Sequence, residues 1–201
     1  MADRGTGIVS APKPMSVGSQ LCTKCGLCCT GALHDTASAE PDELEALRSG
    51  GMTIVKDGEK YRFSMPCAYL RGTSCSTYGR RPRVCSRYRC RLLRDVEAGA
   101  AEVSDALIKV REARRLFEAV VQLLPPGMTL PEARALTRNP GIAPKSMSVD
   151  RYPQLVLQVL VLMRYLDLHF RHAEEGPVLR EEVLTMGGST ESFSKVSEQH
   201  V

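Results

Sequence analysis

The stretch LCTKCGLCCTG places Cys22, Cys25, Cys28 and Cys29 within eight residues. Thiolates two residues apart can reach one metal ion from a single tight turn. Gly26, directly after Cys25, suits such a turn, because backbone that skirts a metal often needs positive φ. Cys22, Cys25 and Cys28 match the first three positions of a bacterial ferredoxin-type run. The match then ends, since Cys29 follows Cys28 at once instead of a Cys-Pro after three further residues. A second group, Cys67, Cys75, Cys85 and Cys90, stands in PCAYLRGTSCSTYGRRPRVCSRYRC, and the chain has eight cysteines in all. Eight thiols suffice for two four-thiolate sites, with ligands drawn from both groups so that distant parts of the chain are tied together. In extended chain, successive Cβ atoms point to opposite faces. The adjacent Cys28 and Cys29 are therefore expected to serve different centres, or different metals of one cluster.

Thiolates suit both zinc and iron–sulfur clusters, so the expected cofactor is zinc or iron, an iron–sulfur cluster included. The competing readings are disulfides and inert buried thiols. The N-terminus MADRGTGIVSAPKPMSVG lacks the apolar core of a signal peptide. No apolar run approaches the roughly 20 residues that span a bilayer, and the longest candidate, Leu155 to Met163, is broken by Gln158. A cytoplasmic protein without a membrane partner is expected. In that compartment clustered cysteines mark metal or redox chemistry more than disulfides.

CTKCGLCC, then PCAYL, then CSTYGRRPRVCSRYRC, with Tyr78, Arg81-Pro82 and Tyr88 in place, resemble the YkgJ-type CxxCxxCC family of zinc- or iron-chelating proteins over about residues 21–92. The resemblance implies a metal-binding cysteine cluster. Flagellin lysine N-methylases look like a related branch, although this chain shows no glycine-rich fingerprint for a nucleotide-like cosubstrate. Two functions follow as expectations. One is a structural metal-binding protein, with closed four-thiolate zinc sites presenting a surface to a partner. The other is an iron–sulfur-dependent enzyme of redox chemistry or protein modification.

Seven arginines, Arg80, Arg81, Arg83, Arg87, Arg89, Arg91 and Arg94, surround the last two cysteines. They can offset thiolate charge and donate N–H groups to sulfur, bind an anionic partner, or form a solvated face. The first reading is favoured because Arg87, Arg89 and Arg91 flank Cys85 and Cys90. A protein or other anionic partner on the Arg80–Arg94 stretch is the next expectation, with nucleic acid less favoured. The net charge of +4 is too small to imply a partner by itself. His34 and Asp35, just past Cys29, are weaker candidates as a ligand and a general base. His169 and His172 fall at i, i+3 spacing, for which surface or packing roles are expected. No Ser-His-Asp, phosphate-loop or zinc-protease motif is present.

These residues need elements to hold them. EPDELEALRSGG predicts a short helix, with Pro41 and acids at its start and Gly50-Gly51 at its end. TIVKDGEKYRF predicts a hairpin turning at Asp57-Gly58. Apolar residues recur at helical spacing over 103–124, until Pro125-Pro126. Thr129 and Glu132 form a capping-box pair, 140–148 reads as a loop, and a second long helix is predicted over 153–172. The fold class is α+β. A flexible arm (1–20) leads into a small cysteine-rich metal-binding module with a short hairpin (21–95). A helical segment (96–173) and a mobile tail (174–201) follow. The two long helices are expected to pack on each other or on the cysteine module.

Overall fold

A computed structural model describes residues 16–139, 141, 148 and 150–172. The expected arm, apart from its last residues, the 140–148 loop for the most part, and the tail lie outside the described residues. The long helix predicted from 103 is α5 (Val103–Leu123), and α7 (Arg151–His169) is the second. Between them α6 (Leu130–Arg138) starts on the predicted capping box: Thr129 Oγ1 accepts from Glu132 N–H, and Glu132 Oε2 accepts from Thr129 N–H. The inward face of α5 is Ala106, Val110, Ala113, Leu116 and Val120; that of α7 includes Leu155, Val159, Leu162 and Leu166. Both follow the three-to-four-residue period of a helix stripe. α5 packs against α7, and α6 against α7.

A helix absent from the sequence reading, α1 (Val17–Cys25), lies against α5. Ser16 caps its start by accepting from Ser19 N–H. Gly26 ends it at φ 66°, with its N–H bonded to Cys22 O. A C-x2-C pair is i, i+3, a spacing that a helix face satisfies as well as a turn does. Leu21, Leu27, Ala32 and Leu33 join α4 (Arg91–Glu97) and α5–α7 in one buried cluster.

The second layer is small. After β1 (Thr36–Ala39), a single 3-10 turn (Pro41–Glu43) leads into α2 (Leu44–Ser49). The predicted hairpin is β2 (Ile54–Asp57) and β3 (Lys60–Ser64), closed by Gly58 at φ 60°. β3 is central, antiparallel to β1 and β2, with Phe63 opposite Ala37 on one side and Ile54 on the other. Phe63 is fully buried and forms this layer's core with Ala39, Leu44, Leu47 and Met52. A two-stranded ribbon, β4 (Leu70–Arg71) and β5 (Ser74–Cys75), and α3 (Arg83–Arg87) complete the α+β fold.

The ribbon is fastened to α1. Thr73 Oγ1 and Ser74 Oγ both donate to Thr23 O, at 2.7 and 3.0 Å. The approach is so close that a Cβ on Gly26 would stand 2.9 Å from Thr73 O. Gly99 has a similar φ of 71° but nothing within 4 Å of its Cβ position. Gly26→Ala should therefore destabilise by more than the roughly 1–2 kcal/mol of a left-handed L-residue, and Gly99→Ala by about that amount alone. Urea midpoints of the two variants test this; equal losses would remove the steric argument.

Candidate metal centre

All eight cysteines are free thiols. They line one cavity of about 260 Å³ in the seam between the two layers. Within it they fall into two sets. Cys25 is buried in the helical core, and Cys22, Cys28 and Cys90 pack against the same core. Cys67 and Cys85 pack against the sheet core. Cys29 joins the second set: its carbonyl accepts from Cys67 N–H at 2.7 Å, and the two thiols share a hydrogen bond. Cys75, carried by β5, is an electrostatic neighbour of Cys85. Cys28 and Cys29, one peptide apart, thus lean toward different layers.

Burial governs these thiols, because a low-dielectric site disfavours the thiolate. It pushes Cys25 from the ordinary 9.0 up to about 12, opposed by the N–H of Leu27. It pushes Cys85 and Cys90 up to about 11, and raises Cys22 and Cys28 as well. Cys29 and Cys67 divide one proton. The hydrogen bond from the Cys29 thiol brings Cys67 down to about 6 and holds Cys29 up.

The donors suit a thiophilic ion. The cavity lining contains thiols, one histidine and no carboxylate. That excludes the oxygen-rich environment of magnesium or calcium and favours zinc, copper(I) or an iron–sulfur cluster. Among the described residues, no three His, Cys, Asp or Glu side chains already surround a single point at metal-binding distance. The thiols form the cavity's wall, and ligation requires their side chains to turn inward.

The arginine stretch divides. Arg81 stacks on Tyr78, 3.8 Å from the ring centre, and its charge lowers both Cys22 and Cys85. Arg89 also acts on Cys22, while donating to Ser86 O and Tyr88 O. Arg83 is taken up by Asp42 and Glu43, and Arg91 pairs with Asp95. Arg80, Arg87 and Arg94 are exposed. Charge compensation at the thiols thus comes from Arg81 and Arg89, and from Arg71 near Cys67. Sequence adjacency had favoured Arg87, Arg89 and Arg91 for that role. His34 lines the cavity edge-on to Tyr88, with ring centres 4.8 Å apart. Asp35, the general-base candidate, pairs with Arg134. His169 and His172 do not share a helix face, because α7 ends at His169. His169 packs against Tyr165, and His172 Nε2 lies 2.7 Å from Arg89 O.

Residues 21–105 match the model of the family CxxCxxCC, described as "Putative zinc- or iron-chelating domain". No curated protein and no solved structure matches the chain. Among the described residues, no helix is long and apolar enough to cross a membrane.

The thiol protonation states predict a pH profile for the metal-free chain. Cys67 has a folded pKa of about 6 against 9.0 unfolded, so its contribution to stability grows as pH rises from 6 to 9. Cys25, Cys85 and Cys90 have raised folded values, so theirs is lost from pH 9 upward to about 11 or 12. Each such thiol can change stability by up to about 1.4 kcal/mol per pH unit in its window. Urea midpoints under strict reduction should peak near pH 9. A monotonic rise through pH 11 would contradict the burial of these thiols.

Proposed function

We propose that this protein binds zinc or iron through all eight cysteines, in two four-thiolate sites. The first comprises Cys22, Cys25, Cys28 and Cys90, against the helical core. The second comprises Cys29, Cys67, Cys75 and Cys85, beside the sheet core. The observation that carries this reading is the gathering of eight thiols, without a carboxylate, on the wall of one cavity. Supporting it, Cys22, Cys25, Cys28 and Cys90 belong with the helical core and Cys67 and Cys85 with the sheet core, while Cys29 O accepts from Cys67 N–H and Cys75 neighbours Cys85.

The chain's own residues would do three things for a bound ion. α1 and the N-terminus of α4 offer Cys22, Cys25 and Cys90 from rigid backbone, while the β4–β5 ribbon and α3 offer Cys75 and Cys85. Buried thiols must give up their protons, which couples binding to pH. Arg81, within reach of both sets, offsets the charge that remains. A bound metal would supply cross-links between segments distant along the chain, and an iron–sulfur cluster would supply electron transfer as well.

Metal analysis and a visible spectrum of anaerobically purified protein are the first test. Zinc in a colourless protein supports the structural form. Iron with inorganic sulfide in a brown protein supports the cluster form. Cys28→Ser and Cys29→Ser should each leave roughly half of the wild-type metal, because each strips one four-ligand site. A wild type without metal, or total loss in both variants while far-UV circular dichroism stays native, would overturn the two-site reading.

A further inference from the structure

The loop that carries Cys28 and Cys29 is gripped from behind by three arginines far away in sequence. Arg114, on α5, donates Nη1 to Cys25 O at 3.1 Å. Arg134, on α6, donates Nη1 to Gly31 O at 3.0 Å and Ala32 O at 3.3 Å, and its Nη2 pairs with Asp35. Arg171, two residues past α7, donates Nη2 to Ala32 O and Leu33 O, at 3.0 and 2.9 Å, while Asp167 holds its Nη1 at 2.7 Å.

Arg134 and Arg171 are the buried charged residues among those described, at 5 and 4% exposure. Buried carbonyls need donors, but a neutral amide or a water would satisfy them. A guanidinium carries a desolvation penalty that a neutral donor avoids. Carboxylates offset that penalty: Asp35 pairs with Arg134, Asp167 with Arg171, and Glu118 Oε1 accepts from Arg114 Nη2 at 2.9 Å. The fork of a guanidinium also spans two successive carbonyls, so it fixes the loop's curvature as well as satisfying it.

We infer that Arg114, Arg134 and Arg171 are positioning residues for the metal sites, holding the Cys25–Leu33 loop in its ligating shape. The inference rests on the metal-binding reading above. All three lie beyond residue 105, where the family match ends. The helical segment outside the matched residues thus supplies this support.

An internal control exists. Arg151 uses the same chemistry, donating to Gln122 O, Leu123 O and Leu124 O, but it clamps the end of α5 and not the cysteine loop. The full chain, loaded with Zn²⁺ as the probe metal, is titrated with a chromophoric chelator, and thermal midpoints are read on the same samples. Arg134→Gln should weaken zinc retention by about 10–100-fold, the usual effect of losing an outer-shell partner, while saturating zinc restores wild-type stoichiometry. Arg134→Lys, which keeps the charge but loses the fork, should fall between. Arg151→Gln should lower the thermal midpoint and leave zinc affinity unchanged. If Arg134→Gln does not fold, Arg114→Gln decides, since that partly exposed side chain can be lost without opening the core. It should weaken zinc retention in the same direction. Wild-type zinc affinity in the folded loop variants overturns the inference, as does an Arg151→Gln that loses zinc as readily. Wild-type chain that takes up neither Zn²⁺ nor iron overturns the metal-binding reading itself, which separates the two failures.

Discussion

A stretch of irregular backbone, from Cys25 to Leu33, is largely buried and pairs with no strand in a ladder. Its carbonyls cannot be left unpaired, because each buried polar group without a partner destabilises by about 1–3 kcal/mol. Some donors lie within the turn or on Cys67; the rest come from Arg114 on α5, Arg134 on α6 and Arg171 beyond α7. This need explains several otherwise separate features. Leu27, Ala32 and Leu33 are in the core together with α7. Two guanidinium groups are buried. Asp167 is carried on α7 for Arg171, and Asp35 on the loop's exit for Arg134. The helices therefore do more than cover the cysteine segment; they satisfy its backbone.

The second organising fact is that a protonated thiol is a small hydrophobe. Protonated thiols can wall a cavity between two apolar cores without a charge penalty, and burial raises the proton affinity of most of the eight. The same burial makes the wall responsive to a thiophilic ion, which replaces protons by bonds. Cys67 differs because Cys29 donates a hydrogen bond to it, and so it is the thiol that reaches the thiolate state at the lowest pH among those with resolved shifts. Fastening of the β4–β5 ribbon to α1 by Thr73 and Ser74 brings the two sets of thiols to one seam.

Local patterns carried far. The α5 stripe, the Thr129–Glu132 box, the Gly58 hairpin and the Pro41 helix start all appear where spacing and capping chemistry predict them. Other elements escaped. α1 lacks a wide apolar stripe and reads as a metal-binding turn. β1 is four residues of Thr, Ala and Ser with no strong strand preference, formed because β3 offers it a partner. α3 and α4 hide in an arginine-rich run whose charge pattern drew attention away from its helical periods.

The cysteines and their suitability for zinc or iron were legible from residue types and spacing alone. The extended backbone expected at Cys28 and Cys29 is not what forms: both lie in a turn closed by Cys29 N–H and Thr30 N–H on Gly26 O, so strand alternation does not set their directions. Which thiol stands with which was not legible, since Cys90 joins Cys22 and Cys25 only through the packing of α4 on α1. The same holds for the arginines. Sequence neighbours pointed to Arg87, while the structure brings Arg81 to the thiols and Arg114, Arg134 and Arg171 to the loop behind them. Spacing along a chain encodes contacts within a turn or a helix face. Contacts across some 90 to 140 residues are decided by how apolar faces pack, and only the tertiary structure holds that information.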